Sequence, residues 1–373
     1  MIIKTGKPGL PGKEDKSLKL NITSSPHIHS QITVKKVMWD VILALLPAGF
    51  VGIYFFGIKA LSVILTCVIS ALAAEYIAGK VLKIKFNLLD GSACVTGLLL
   101  AYCLPPATPL WVAAIGSVAA IVIAKSVFGG LGTNIFNPAL IGRAFLLASW
   151  PAFITRWSPT VKFLSKDWFS LSGSVVKGKE VIDAVSMATP LGYFKEHSIT
   201  SGAHLFAKAG TGFLDSAGNI HKMGLWDMIV GNIGGCIGET SAVALLIGAI
   251  FLLGRGHITW HIPAPTILTV AILGYVFGGD KLFDPQMMLI HLFCGGLFLG
   301  AFFMATDMVT TPITPLGRII FGFGCGFLIF MIRKFSGSYP EGVCYAILIM
   351  NAFTPLIDRF TSPRVFGRGA TNG

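Results

Sequence analysis

Ten runs of mostly apolar residues, each close to membrane length, decide the solvent in which this chain can fold. Their approximate limits are 37–57, 59–79, 91–106, 109–128 and 138–156, then 225–253, 262–279, 286–305, 315–333 and 340–357. A helix needs about twenty such residues to cross the hydrocarbon core of a bilayer. Only 12% of the residues are charged, against about 25% in a soluble domain. The 44 glycines suit close helix packing in lipid. The pattern predicts an all-α polytopic membrane protein of about ten transmembrane helices. The third run ends early, at Pro105-Pro106, and the stretch Gly129 to Asn137 is rich in Gly and Asn. Irregular backbone of that kind survives at membrane depth only where protein or a cavity covers it.

The net charge of +12 does not mark a nucleic-acid partner. The basic residues lie in the N-terminal tail, the loops and the C-terminal tail, as a topology signal does. Lys4, Lys7, Lys13, Lys16, Lys19, Lys35 and Lys36 precede the first run, and Lys80, Lys83 and Lys85 follow the second. With ten spans, Arg255, Arg359, Arg364 and Arg368 fall on that same side, which the positive-inside rule makes cytoplasmic. Arg333 and Lys334 fall outside, against the trend. The expected organisation is a cytoplasmic tail over 1–36, a five-span half over 37–156, an extracytoplasmic segment over 157–224, a second five-span half over 225–357 and a cytoplasmic tail over 358–373. No cleavable signal peptide is visible, because the first apolar run starts near Val37 behind a Lys-rich polar tail.

The halves resemble one another. Gly97-Leu98-Leu99-Leu100-Ala101-Tyr102 parallels Gly296-Leu297-Phe298-Leu299-Gly300-Ala301-Phe302. Pro109-Leu110 with Gly116 parallels Pro315-Leu316 with Gly322, and Ala144-Phe145 parallels Ala352-Phe353. An offset of five spans is odd, so the repeats would be inverted across the membrane. Inverted repeats commonly place broken helices and a site near the midplane. Similarity between Gly/Leu-rich helices also arises by chance, and the sequence leaves both accounts open.

The long segment between the halves contains Asp183-Ala184-Val185-Ser186-Met187-Ala188-Thr189-Pro190. As chemistry alone this is either a capped turn or a phosphoryl acceptor. In the second reading the Thr189 hydroxyl is the acceptor and Asp183 orients it or helps to hold a metal during transfer. Small Ala188 leaves room for a modifying enzyme, and Pro190 keeps the segment extended. The seven cysteines lie in apolar runs without a C-x-x-C pair. They read as small buried hydrophobes, and a self-contained iron–sulfur or zinc site is disfavoured.

Further segments stand around this motif in a fixed order. Ser25-Pro26-His27-Ile28-His29 precedes the first span, and Phe128 to Ala139 (FGGLGTNIFNPA) opens the fifth. Gly234 to Ser241 (GGCIGETS) lies in the sixth, Ala305-Thr306-Asp307-Met308 follows the eighth, and Ser338-Tyr339-Pro340-Glu341-Gly342 enters the tenth. Over about residues 20 to 367 the chain resembles a family of membrane proteins found in two redox complexes. They are the D subunit of the Rnf ferredoxin:NAD+ oxidoreductase and, slightly less closely, the B subunit of the Na+-pumping NADH:quinone reductase. Asp-x-x-Ser-x-Ala-Thr resembles that family's flavinylation motif, although the family form usually has Gly where Met187 stands. The resemblance implies FMN held on Thr189 by a phosphodiester bond, with Asp183, Ser186 and Ala188 completing the motif. It also allows a second flavin, riboflavin, bound non-covalently. Further implications are a bacterial inner-membrane location, other Rnf subunits and a flavin transferase as partners, and outward Na+ or H+ movement driven by electron flow from ferredoxin to NAD+. The chain would not catalyse the overall reaction alone.

Several polar residues at membrane depth need their own reading. Glu239, near the centre of the sixth run, is either an ion-path residue or a helix-to-helix hydrogen bond. Asp307, among Thr306, Thr310 and Thr311, is the best ion ligand of the acids that flank spans, since hard oxygen donors suit Na+. Asp90, Asp280 and Asp284 read as caps. Glu75, near a helix end, reads as snorkelling to the interface, and His291 reads as a satisfied core histidine. Asn134 and Asn137 read as structural, with contact to a flavin ring as the alternative. Gly129, Gly130 and Gly132 have neither the preceding strand nor the following Lys-Ser/Thr of a phosphate loop, so helix packing is the expected role. Two other classes stay open: a secondary transporter or channel without flavin, and a purely structural membrane scaffold with Thr189 unmodified.

Overall fold

Backbone groups at membrane depth must find partners within the protein, and the computed structural model meets that demand largely with helices. It describes residues 32–83, 88–158, 160–161, 163–165, 168–169, 175–177, 180–182, 225–279, 282–335 and 342–362. The first half holds α1 (Val34–Phe56), α2 (Ile58–Leu82), α3 (Ser92–Tyr102), α4 (Leu110–Ile121, running on as a π-helical turn over Val122–Ser126), α5 (Pro138–Ser149) and the short α6 (Pro151–Ile154). Two three-residue strands, β1 (Val175–Lys177) and β2 (Glu180–Ile182), pair antiparallel, a small exception to an all-α expectation. The second half holds α7 (Leu225–Val230), α8 (Ala242–Gly254), α9 (Pro263–Phe277), α10 (Pro285–Phe293), α11 (Leu297–Leu299, running on as a π-helical turn over Gly300–Met304), α12 (Pro315–Phe335) and α13 (Val343–Thr361).

Four helices, α1, α2, α12 and α13, are long and apolar enough to cross a bilayer, which makes this a multi-pass membrane protein. The pair α10 and α11 passes the same test together but bends by 61° at its break. The remaining apolar helices are shorter. Local chemistry sets their starts. Asn137 caps α5, its Oδ1 accepting from the amides of Ala139 (3.0 Å) and Leu140 (3.4 Å), with Pro138 in the first turn. Asp284 caps α10 in the same way, through the amides of Gln286 (2.9 Å) and Met287 (3.4 Å). Asp90 accepts from the Ser92 amide at 2.8 Å, as expected of a capping acid. Asp280 lies outside the described residues.

The sixth run is not one helix. Residues 231–241 form an irregular segment between α7 and α8, so Glu239 stands in a loop rather than mid-helix. That loop meets the end of α3, which stops at Tyr102, short of the expected Pro106. The Ile237 amide donates to the Leu104 carbonyl and the Gly238 amide to the Tyr102 carbonyl, each at 3.0 Å. Two broken segments thus satisfy one another. Tyr102 donates its hydroxyl to the Leu45 carbonyl at 2.8 Å, fastening α1 to the same junction.

The break between α10 and α11 is satisfied by a charge. Gly295 turns the chain there at φ +76°, a conformation that a side chain would strain. The Arg333 guanidinium donates to the carbonyl of His291 and, at 3.1 Å, to that of Cys294, capping the end of α10. Arg333 is 2% exposed, so it is a buried cap and not the loop charge assumed for topology. Glu75 also departs from expectation. It is 1% exposed and ion-paired with equally buried Lys125, so it does not snorkel. Gly129, Gly130 and Gly132 all have φ near +100° (+107°, +108° and +97°), and nothing lies within 4 Å of a Cβ built on Gly132. These three serve backbone conformation, not helix packing.

Helix α2 packs on α3 and α4, and α4 on α5; α9 packs on α10 and α12, and α12 on α13. The halves meet chiefly where α1 lies against α8. Gly248 allows that approach, because a Cβ there would collide with the Ala44 carbonyl oxygen of α1 and crowd Phe303. Gly248→Ala should therefore cost about 1–3 kcal/mol through overpacking and lower the melting midpoint of the purified protein in detergent. Gly254→Ala, six residues on with nothing within 4 Å of its added Cβ, should leave the midpoint unchanged or slightly higher.

Candidate functional site

The junction of the halves holds a partly open cavity of about 110 Å³. Its walls come from the starts of α1 and α3, the π turn of α4, the 131–138 segment, the end of α8 and the end of α11. Both described π-helical turns reach it: Lys125 comes from one, Phe302 and Phe303 from the other. Such turns are rare and recur at functional sites. Most of the lining is apolar, with a few polar groups set among it.

Lys125 is the one lysine or arginine in the lining among the described residues. Its ammonium is held by Glu75 and by Ser92 Oγ, the latter at 2.6 Å. An ammonium has three donors, and the third has no protein partner among the described residues. Asn134, 5% exposed, donates Nδ2 to the Phe136 carbonyl at 3.2 Å, while its Oδ1 has no partner among the described residues. Asn137 caps α5 and also donates Nδ2 across the junction to the Met304 carbonyl at 3.3 Å, joining the 131–138 segment to α11. Both asparagines do the structural work expected of them, and both line the cavity.

His257 lines the cavity where α8 ends. Its Nε2 lies 2.7 Å from Asp40 Oδ2, and Arg255 reaches Asp40 Oδ1 at 3.3 Å. Asp40 thus ties α1 to the segment after α8 at this end of the molecule. Asp307 also lines the cavity, just beyond α11, and accepts from the Val309 amide at 3.4 Å.

Glu239 is elsewhere. Its Oε1 accepts from the Cys236 amide at 3.0 Å, and its Oε2 lies 3.0 Å from where a Cβ on Gly296 would stand. It therefore sits at the start of α11, a site that favours negative charge, whereas Asp307 follows the end. Eight helical residues separate these positions, roughly 12 Å at 1.5 Å per residue. The structure does not bring the two acids into one site.

Asp183, Ser186, Ala188 and Thr189 lie outside the described residues, beginning one residue after β2 ends at Ile182. Among the described residues no cluster of His, Cys, Asp and Glu could hold a metal ion. The seven cysteines are unbridged, and all but half-buried Cys94 are buried. Sequence reading missed Lys125, Asp40 and His257. The signal for Lys125 was present, since a single lysine inside an apolar run is itself unusual.

A family model described as the NQR2, RnfD, RnfE family matches residues 21–367. The chain is 47% identical to the D subunit of the proton-translocating ferredoxin:NAD(+) oxidoreductase complex of Clostridium ljungdahlii, across 93% of this chain and 96% of that protein. It is 43% identical to the D subunit of the Na(+)-translocating ferredoxin:NAD(+) oxidoreductase complex of Acetobacterium woodii, across 94% of this chain and 96% of that protein. With the D subunit of an ion-translocating oxidoreductase complex of Escherichia coli it shares 38% identity over 93% of its own length and 98% of the relative's. The family match covers the membrane helices and the segment between the halves alike, and the chain belongs to the NQR2, RnfD, RnfE family.

Proposed function

We propose that this chain is the membrane electron-transfer subunit of an ion-translocating ferredoxin:NAD+ oxidoreductase in a bacterial inner membrane. The observation that carries this reading is identity of 43–47% along almost the full chain to proteins named as the D subunit of such a complex. Na+ and H+ are the ions in those names. The other subunits of the complex are the expected partners, and a flavin transferase acts during maturation. The quinone-reductase branch of the family is the alternative, marked by electron delivery to quinone instead of NAD+.

FMN is proposed to be joined through a phosphodiester bond to Thr189, within the motif formed by Asp183, Ser186, Ala188 and Thr189. The segment over 157–224 would present it outside the cytoplasm. Ten spans in two inverted halves remain the preferred architecture. The like packing of α2 on α3 and α4, and of α9 on α10 and α12, supports this. Exposed aromatics do so too: Tyr54 and Trp111 stand at helix ends on the proposed outer side, Trp39, Tyr76 and Trp260 on the proposed inner side. Of the two candidate ion-path acids, Asp307 is preferred because it lines an open cavity, whereas Glu239 already faces a helix start.

The cavity suits a second, non-covalent flavin such as riboflavin. Its apolar lining and Phe302 and Phe303 would cover an aromatic ring. The unpartnered Asn134 Oδ1 and the third Lys125 N–H offer one acceptor and one donor to a ring edge that alternates acceptor and donor. When bound, the flavin would accept and pass on electrons, while the chain supplies its position and electrostatic surroundings.

Two measurements test these assignments. Protein made with its flavin transferase should fluoresce in a denaturing gel under ultraviolet light, and Thr189→Val should be dark. A dark wild-type band sinks the covalent-carrier reading and favours a transporter or a scaffold. Asn134→Leu in the intact complex should reduce the retained acid-extractable flavin about tenfold at limiting flavin, as loss of one buried hydrogen bond predicts, and leave gel fluorescence unchanged. Equal loss from both pools would show a folding defect instead.

A further inference from the structure

We infer that Lys125 is the redox-tuning residue of the cavity, a fixed buried cation that favours the reduced form of the ligand bound there. The inference rests on the reading that the cavity holds a non-covalent flavin. Two electrons and one proton convert an oxidised, neutral isoalloxazine into a reduced ring with one negative charge on its pyrimidine edge. The electrons come from the complex's donor, and charge placed near that edge shifts the balance between the two forms.

Lys125 meets the geometric needs of that role. Its side chain is 2% exposed, so bulk water screens its charge little. Ser92 lines the cavity beside it, whereas Glu75 is not part of the lining, so a ligand meets the ammonium before the carboxylate. Two of its protons are held by Glu75 and Ser92, leaving the third for the ligand. The π-helical turn over Val122–Ser126 sets this direction, because one residue added to a helical turn rotates the succeeding residues by ~100°. The other ionisable groups in the lining are Asp307 and His257, and His257 is already engaged by Asp40. No second lysine or arginine lines the cavity among the described residues.

The pair also allows a test by sign. Lys125→Met removes the cation, and Glu75→Gln removes the negative charge behind it. A packing defect moves both variants the same way, whereas an electrostatic role moves them in opposite directions. The experiment is a spectroelectrochemical titration of the non-covalent flavin in the intact complex. A Thr189→Val background removes this chain's covalent signal, and subtraction of the Asn134→Leu complex in the same background removes that of any flavin elsewhere in the complex. Lys125→Met should lower the reduced-to-oxidised ratio at fixed potential about tenfold, equivalent to about 30 mV for a two-electron couple. Glu75→Gln should raise that ratio, and Lys125→Arg should restore most of the wild-type value. If Lys125→Met does not assemble, the double variant Lys125→Met/Glu75→Gln buries no lone charge and takes its place. Its ratio should fall below that of Glu75→Gln alone. Retained flavin with an unchanged ratio, or a shift of the same sign in both single variants, overturns the role of Lys125. Loss of flavin from the Lys125 variants, with retention in Glu75→Gln, overturns it as well and makes Lys125 an anchor. A wild-type complex without extractable flavin instead overturns the reading of the cavity.

Discussion

A broken helix in a membrane leaves carbonyls and amides that no water can reach, and the rest of this structure depends on how those groups are satisfied. Each unsatisfied group costs several kcal/mol in hydrocarbon. The chain uses two solutions. At the end of α3, the irregular 231–241 segment donates its Ile237 and Gly238 amides to the freed carbonyls of Leu104 and Tyr102. At the end of α10, Arg333 covers the carbonyls of His291 and Cys294 with a guanidinium. The first solution requires the halves to meet, since the partners come from opposite sides of the long central segment. Association of the halves is thus a condition of α3 ending where it does.

The same requirement brings charge into the interior. Arg333 comes from α12 to the break before α11, and Lys125 comes from the end of α4 to the start of α3. These helices pack alike within their halves, α4 on α2 and α12 on α9. The two cations nevertheless do different work. Arg333 donates to two backbone carbonyls and so caps a broken helix. Lys125 is balanced by a carboxylate and retains a donor toward the cavity, so its charge is available to whatever enters. Breaking such a pair by removing one partner is costly, about 3–5 kcal/mol.

The apolar runs made the long helices α1, α2, α12 and α13 legible in the sequence, and Asp284 could be recognised as a cap from its place at the edge of a run. What could not be read was how irregular segments pair. The 225–253 run is apolar enough for one span, and hydropathy does not register that residues 231–241 leave the helix to complete α3. Glu75 misled for a related reason. Position near a helix end suggests snorkelling, but Lys125 lies 50 residues away in sequence and only tertiary packing joins them. Arg333 likewise looked like a loop charge because its acceptors are backbone carbonyls, which have no sequence signature. Gly129, Gly130 and Gly132 have the composition of a packing motif and the dihedrals of a turn. The motif at Thr189 was legible only as a family pattern, because a short polar stretch carries no periodicity from which to derive a role.

The cavity places Lys125 and Asp307 on one shared space, which bears on how electron flow could act on an ion. Two unit charges 10 Å apart interact by about 1.7 kcal/mol at an effective dielectric of 20, or more than tenfold in an equilibrium constant. In the proposed reading, negative charge gained by a ligand in this space strengthens cation binding at Asp307 by such a factor, and its loss weakens it again. Asp307 is suited to respond because it lies just beyond the end of α11, where the helix's partial negative charge adds to that of the carboxylate. Glu239 has the opposite setting at the other end of the same helix, where the partial positive charge already compensates it. A redox change in the cavity would therefore act on Asp307 first, because Glu239 does not line that space.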